Sequence, residues 1–264
     1  MRGLIAYSSM DAERNRAFIE DLMNEAESAG ICLDLWTRDD LPEEPIDFIL
    51  SRRRNSDQSA RWEAEGIRVF NRSEVNRIAN DKFKTFELAT LLGIPAVPTR
   101  KIRFSDDVTS YPSVLKTVDG HGGNEVFLCH SPNDAEAFFR QFGECLIIVQ
   151  PYVESNAQDV RVFMLGNEVL GAVLRKGNDS FKSNFTLGGS VTKYELNDLQ
   201  VNEVQTITQA LKSDYIGIDF LLLPDGRWLL NEIEDPVGAR SLYETHDFSV
   251  AERLMDYLKR ELTN

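Results

Sequence analysis

Three carboxylates toward the C-terminal end of the chain carry the strongest chemical pattern: Asp219 in one apolar run, and Glu232 and Glu234 at the end of the next. The runs 216–222 and 228–233 flank Pro224-Asp225-Gly226, whose residue types favour a tight turn, so they are expected to pair as a hairpin. Residues i and i+2 of a strand share a face, which sets Glu232 beside Glu234, and hairpin pairing brings Asp219 near both. Carboxylates gathered in this way repel one another unless a cation joins them. Hard oxygen donors suit Mg²⁺, above all Mg²⁺ carrying nucleotide phosphates. The alternative is a solvent-facing acidic hairpin edge. Opposing charge comes from Lys82, expected in the middle of a helix, and from Lys116, which ends Val114-Leu115-Lys116 and precedes Asp119-Gly120-His121-Gly122-Gly123. A glycine-bearing loop after a strand lets backbone N–H groups approach phosphate oxygens. Taken singly, each lysine is more often a solvated surface residue and the loop more often a plain hairpin turn.

These groups need elements to position them, and the periodicity supplies a mixed α/β and α+β order. The first seventy-odd residues alternate: a strand at 3–7, an amphipathic helix at about 12–29 with Phe18, Leu22 and Ala26 on one face, and strands at 31–36 and 47–50. That spacing favours a parallel sheet. The pattern changes after Asn71-Arg72-Ser73, which places a domain boundary near residue 75. A helix at about 74–92 stops at Gly93, suited to a left-handed cap, with Pro95 beyond it. Strands are expected at 113–116, 125–129, 146–150, 160–165 and 168–174, helices at 132–142, 201–211 and 249–262, and a polar loop at 177–189. Arg52-Arg53-Arg54 ends the third strand; it could receive a substrate carboxylate, but at least two of the three are expected to be solvated.

Composition narrows the function classes. The 264 residues hold 29 Lys plus Arg against 43 Asp plus Glu, a formal charge of −14, which repels nucleic acid and anionic membrane at long range. A hydrophobic fraction of 42% is that of a folded globular chain, not a disordered one. Cys32, Cys129 and Cys145 lie too far apart for a disulfide framework or a structural zinc site. The apolar stretch at residues 4–7 is too short for a signal peptide or a membrane span, so a cytoplasmic protein is expected. The first strand-to-helix turn, Ser8-Ser9-Met10-Asp11, has no glycine, which argues against a dinucleotide fingerprint; no Walker-type lysine loop is present either.

The order of the motifs is more informative than any one of them. A helix lysine is followed by a lysine with a glycine loop, then by a strand ending in Gln150-Pro151-Tyr152-Val153, then Asp159-Val160-Arg161, Arg175, Ser183-Asn184 and the three carboxylates. In this order the chain resembles the ATP-grasp superfamily, in particular the branch of the ribosomal-protein glutamate ligase and related carboxylate–amine ligases. The resemblance covers essentially the whole length. It implies an N-terminal α/β domain (residues 1–75) followed by a two-lobed ATP-grasp unit (76–264) that grips ATP between its lobes. It also implies Lys82 and Lys116 on the nucleotide phosphates, Gly120, Gly122 and Gly123 in the loop closing over them, and Gln150, Tyr152 and Val153 at the hinge that reads adenine. Asp159 falls at the ribose, Arg161 and Arg175 at the transferred phosphoryl group, and Asp219, Glu232 and Glu234 at Mg²⁺, with Mn²⁺ as the alternative ion. Asn184, Arg240 and Ser241 fall on the substrate side.

Two positions depart from the family pattern. Glu234 stands where Asn is common, and Asp235-Pro236-Val237-Gly238-Ala239-Arg240-Ser241 replaces the usual Ser-Pro-Gly-type turn, which puts the number of metal ions and the acceptor in question. The implied reaction is amide formation through an acylphosphate, between a small carboxylate and an amine or a peptide or protein tail, without nucleic acid or membrane and compatible with a homo-oligomer. The rival readings are a kinase of a small hydroxylated molecule and a non-catalytic ATP-binding module. Arg175 and the full carboxylate set argue against the module.

Overall fold

A computed structural model of the chain describes residues 1–177 and 189–263. The chain begins with β1 (Arg2–Ala6), α1 (Ser9–Arg14), α2 (Arg16–Ser28), β2 (Cys32–Trp36), β3 (Phe48–Ser51), α3 (Ser56–Ala64) and β4 (Arg68–Phe70). Its strands form a parallel sheet in the order β2-β1-β3-β4. Leu4, Ile5, Phe48 and Ile49 of the two central strands are all fully buried, as expected where helices cover both faces of a parallel sheet. The single helix expected over 12–29 is divided at Asn15, whose backbone leaves the helical range at φ −110° and whose Nδ2 donates to Asp11 O at 2.7 Å, and the first piece starts at Ser8, which accepts from Asp11 N at 3.1 Å. α3 and β4 were not anticipated: β4 has three residues, too few to show alternation, and α3 buries Gln58 and Ser59 beside Trp62.

The helix expected over 74–92 is likewise two, α4 (Ser73–Ala79) and α5 (Lys82–Leu92). Asp81 interrupts it by accepting from Phe83 N at 3.0 Å and Lys84 N at 2.9 Å, an N-cap inside an otherwise apolar pattern. Lys82 is therefore the first residue of a helix and not mid-helix, and Gly93 closes that helix at φ 70°. Residue 75, where the sequence suggests a boundary, lies inside α4.

Next come β5 (Arg100–Ile102), β6 (Ser113–Thr117), β7 (Val126–Cys129), α6 (Pro132–Phe142) and β8 (Ile147–Pro151). These strands form an antiparallel sheet, β5-β8-β6-β7, with a core of its own built on Leu115, Phe138 and Ile147. The third sheet is assembled from β9 (Gln158–Leu165), β10 (Glu168–Lys176), β11 (Ser190–Lys193), β12 (Tyr215–Leu222) and β13 (Trp228–Glu234) in the order β11-β10-β9-β12-β13. Helices α7 (Asp198–Leu211), α8 (Arg240–Thr245) and α9 (Val250–Thr263) complete the chain. The β12–β13 turn is the expected one, with Leu223 N donating to Arg227 O at 2.8 Å and Gly226 at φ 84°.

Strand alternation in this third sheet divides its two faces. Val160, Val162, Met164, Ile216, Ile218 and Phe220 point into one apolar core. Asp159, Arg161, Asp219 and Arg175 point the opposite way, and farther along that second face Phe163, Leu165 and Tyr215 enter the core of the parallel sheet. Leu254 and Leu258 of α9 share that same core with Leu22 and Ala26 of α2. Among the described residues, no helix is long and apolar enough to cross a membrane.

Asp214, just before β12, joins these layers. Its Oδ1 accepts from Arg68 Nη2 at 2.6 Å and from the Tyr257 hydroxyl at 2.9 Å, while Oδ2 is buried without a partner. Burial pushes its carboxyl up to about 6, against the pull of Arg68 and the hydrogen bond from Tyr257. A carboxyl whose folded value lies above its unfolded one weakens the fold as pH rises from about 4 through 6. We therefore expect Asp214→Asn to raise stability by roughly 2–3 kcal/mol at pH 8 and to have little effect at pH 4, as measured by urea unfolding. Equal effects at both pH values would remove the ionised carboxylate as the cause.

Candidate active site

The three sheets meet at a cavity of about 610 Å³ whose wall includes most of the residues singled out by sequence: Lys82, Lys116, Gly120, Gly122, Gly123, Gln150, Tyr152, Val153, Asp159, Arg161, Arg175, Asp219, Glu232, Glu234, Arg240 and Ser241. Asn184 lies outside the described residues.

At one end are the lysines. The start of α5 is held against the glycine loop, because Lys82 N donates to Val118 O at 3.1 Å and Lys82 Nζ donates to Gly120 O. Lys116 is 5% exposed, and its Nζ donates to Asn231 Oδ1 at 2.9 Å. Burial lowers its pKa to about 8, with Lys82 adding to the effect and Glu232 and Asp219 opposing it. An anion arriving here would meet charge that is poorly compensated. Gly122 and Gly123 adopt φ 69° and 78°, a conformation L side chains rarely take, and a Cβ at Gly120 would lie 2.3 Å from Thr117 Oγ1. The loop can therefore approach a ligand with backbone alone.

The hinge-like segment is partly committed to internal bonds. Gln150 Nε2 donates to Thr99 Oγ1 at 2.8 Å, and Tyr152 N donates to Pro112 O at 3.2 Å. The Gln150 side chain and the Tyr152 amide thus hold the strand end in place.

Deeper in the cavity, the expected cluster of mutually repelling carboxylates is not found. Asp219 faces arginines instead. Arg161 Nε and Nη2 donate to its two oxygens at 2.7 and 2.6 Å, and Arg175 Nη2 adds a third bond at 2.8 Å. Arg175 also forks onto Asp159, at 2.6 and 2.8 Å, so Asp159 orients that arginine. Arg161 Nη2 lies 2.6 Å from Glu234 Oε1, and the carboxylate at the usual Asn position is therefore an arginine partner. Burial works against each of these charges, but the pairing prevails. Asp219 is lowered to about 2, and Arg161 and Arg175 are held above their ordinary values.

Strand register accounts for the geometry. Arg161, Asp219 and Glu232 lie in one row across β9, β12 and β13. Beside that row β13 carries a bulge: Asp219 pairs with Glu232 but Phe220 pairs with Leu230, leaving Asn231 as the extra residue. The bulge breaks alternation, so Asn231 and Glu232 both reach the cavity. Asn231 was not identified from sequence; its only signal is a polar residue within an apolar strand. Among the described residues, Glu232 makes no salt bridge and accepts a single long contact, from Asn231 Nδ2 at 3.4 Å. No group of three or more His, Cys, Asp or Glu side chains is gathered for a metal ion among the described residues. The donor chemistry still fits Mg²⁺, which enters nucleotide sites through one or two carboxylates together with phosphate oxygens and water.

The far end of the cavity was under-read from sequence. Arg52 and Arg53 are buried, not solvated, at 5% and 8% exposure. Arg53 is structural, binding Gln58 Oε1 at 2.7 Å and Asp39 Oδ1 at 2.8 Å. Arg52 and Arg54 line the cavity together with Tyr7, Asp11 and Arg14. The turn after β13 is fixed by amides that sequence reading also missed. Asn71 and Asn76 each donate to the buried Asp235 carboxylate at 2.9 Å, and Asn80 donates to its carbonyl at 2.7 Å.

The chain and its fold resemble known proteins. The chain is 26% identical over 247 residues to the uncharacterized MG011 homolog of Mycoplasma pneumoniae, an alignment covering 91% of this chain and 86% of that one. It is 27% identical over 209 residues to a probable alpha-L-glutamate ligase of Haemophilus influenzae, covering 75% of this chain and 68% of the relative. Its fold matches the crystal structure of a RimK domain ATP-grasp protein from Sphaerobacter thermophilus with a TM-score of 0.76 at 19% identity, over 98% of this chain and 100% of the other. Residues 79–258, well over half of the chain, match the model of the RimK-like ATP-grasp domain, and the chain belongs to that family.

Proposed function

We propose that the protein is an ATP- and Mg²⁺-dependent ligase that joins a carboxylate to an amine through an acylphosphate, in the cytoplasm, with an amino acid or peptide among its substrates. The observation that carries this reading is the placement of Arg161 and Arg175, clamped by Asp159 and Asp219, in one cavity with the buried lysines Lys82 and Lys116 and with Arg52, Arg54 and Arg240. The substrate carboxylate attacks the γ-phosphorus of ATP, and the bond to the β–γ bridging oxygen breaks to release ADP. The amine then attacks the acyl carbon, and phosphate leaves. Lys82 and Lys116 offset phosphate charge, and the two guanidiniums, already oriented, stabilise charge that develops in transfer without reorganising. Mg²⁺ held by Glu232 and Asp219 would supply further charge neutralisation on the phosphates. The relative named as a glutamate ligase supports an amino-acid substrate.

An acylphosphate reacts with hydroxylamine. We therefore expect ATP, Mg²⁺ and the correct carboxylate to yield a hydroxamate and ADP when hydroxylamine replaces the amine, in a colorimetric screen over amino acids and short peptides. A stable phosphoester as the sole product of an active preparation would assign the site to a kinase.

A further inference from the structure

Lys116 and Glu232 are near enough to act on each other and yet do not pair. Burial lowers the lysine's pKa to about 8, Glu232 is the foremost charge opposing that effect, Lys82 adds to it, and Asp219 opposes it more weakly. Neither Lys116 nor Glu232 forms a salt bridge among the described residues. Between them lies the side chain of Asn231. Its Oδ1 accepts from Lys116 Nζ at 2.9 Å and its Nδ2 donates to Glu232 Oε1 at 3.4 Å, so one amide group spans the gap between cation and carboxylate. An ammonium can only donate and an ionised carboxylate can only accept, so the two neighbours also fix which way round the amide sits.

The bulge in β13 puts the amide there. Leu230 and Ile233 would point to opposite faces of a regular strand. With Asn231 as the extra residue both enter the apolar core, and Asn231 and Glu232 are left on the cavity wall together. A desolvated ammonium on a flexible stem gains most from a carboxylate within its reach. Direct pairing of Lys116 with Glu232 would satisfy both groups and leave neither charge for a ligand. The neighbouring Arg161 and Arg175 are, by contrast, bonded directly to Asp219. We propose that Asn231 is a positioning residue that keeps Lys116 and Glu232 apart, so that the ammonium stays available to phosphate and the carboxylate to Mg²⁺. This inference rests on the nucleotide site of the ligase reading and adds to it what prevents that site from neutralising itself.

The test is a cycle of four full-length proteins: the parent, Asn231→Leu, which keeps the branched shape and removes both bonds, Glu232→Gln, and the double variant. Each is measured by urea unfolding and by calorimetric binding of ADP in EDTA. In the parent, Glu232→Gln should move the urea midpoint by less than about 0.2 M; in the Asn231→Leu background it should lower it by roughly 0.5 M, because it then breaks an ion pair that the first substitution allowed to form. Asn231→Leu alone should weaken ADP roughly tenfold, the scale of one charge-assisted bond to phosphate. Adding Glu232→Gln should release Lys116 and return the affinity to within about threefold of that of Glu232→Gln alone. A residue that merely shapes the strand would cost the same in both backgrounds. An Asn231→Leu penalty on ADP of equal size with and without Glu232, or a Glu232→Gln shift in urea midpoint that is the same with and without Asn231, would overturn the proposal. Should Asn231→Leu fail to fold, Asn231→Ala carries the same cycle. Absence of ADP binding to the parent, with or without Mg²⁺, would take the ligase reading down, and the urea cycle would still decide the role of Asn231.

Discussion

Replacing Lys116 with methionine should make the ligand-free protein more stable at pH 7 and at the same time remove most of its stabilisation by Mg-ATP. The lysine is buried, and its folded pKa of about 8 lies below the ordinary value of 10.5, so at pH 7 the fold carries the full cost of a desolvated ammonium. A depressed amine regains stability as pH rises from about 8 through 10.5, where it becomes neutral in both states. At 1.36 kcal/mol per unit, Lys116→Met should gain about 2–3 kcal/mol at pH 7, and the gain should fade toward pH 11. That corresponds to roughly 5–10 °C in the thermal midpoint for a chain of this size. Mg-ATP at one hundred times its Kd should add about 2.7 kcal/mol to the parent protein and far less to the variant. A variant less stable than the parent at pH 7 would remove the desolvated ammonium as a cost to the fold, and one that responds to Mg-ATP as fully as the parent would exclude this lysine from phosphate binding.

Asp219→Asn and Glu232→Gln should both abolish turnover, but their effects on the fold should differ. Relief of carboxylate repulsion, the expectation from sequence, would have made both harmless or stabilising. The structure reverses this for Asp219, which accepts from two buried guanidiniums. Removing one partner of a buried ion pair costs about 3–5 kcal/mol. Because Arg161 keeps Glu234 and Arg175 keeps Asp159, the lower end of that range applies. Glu232 makes no salt bridge among the described residues, so its amide should change stability by less than about 0.5 kcal/mol. Urea unfolding of both variants beside the parent checks the contrast. Equal stabilities would mean that the arginine cluster around Asp219 contributes nothing to the fold.

The legible parts of the sequence were those where one periodicity dominated. The β12–β13 hairpin, its turn and the left-handed end of α5 at Gly93 could be located because alternation, turn residues and glycine all agreed there. The break before Lys82 was hidden because the apolar pattern runs on through Asn80 and Asp81, while the side chain of Asp81 bonds the backbone and ends the periodicity. The bulge at Asn231 leaves no signal in the spacing of its own strand, since an extra residue in one strand is visible only against its partner. The arginines after β3 were misplaced for a related reason. Charged residues at a strand end are ordinarily solvated, and only the later segments that fold over them, from Tyr215 to Val237, turn Arg52 into an interior group.

The amides of Asn71, Asn76 and Asn80 have a mechanical consequence. By holding both the carboxylate and the carbonyl of Asp235, they pin the end of β13 to the segment that leaves the parallel sheet. The wall bearing Asp219, Glu232 and Arg52 is thereby a fixed jaw. The sheet that carries Lys116 and leads into the glycine loop has a separate core, and Lys116 bonds it directly to Asn231 of that jaw. The two walls of the cavity are thus braced unequally, one pinned at both the carboxylate and the carbonyl of Asp235, the other tied through backbone bonds from residues 95–97 to Leu230 and from Lys82 to Val118.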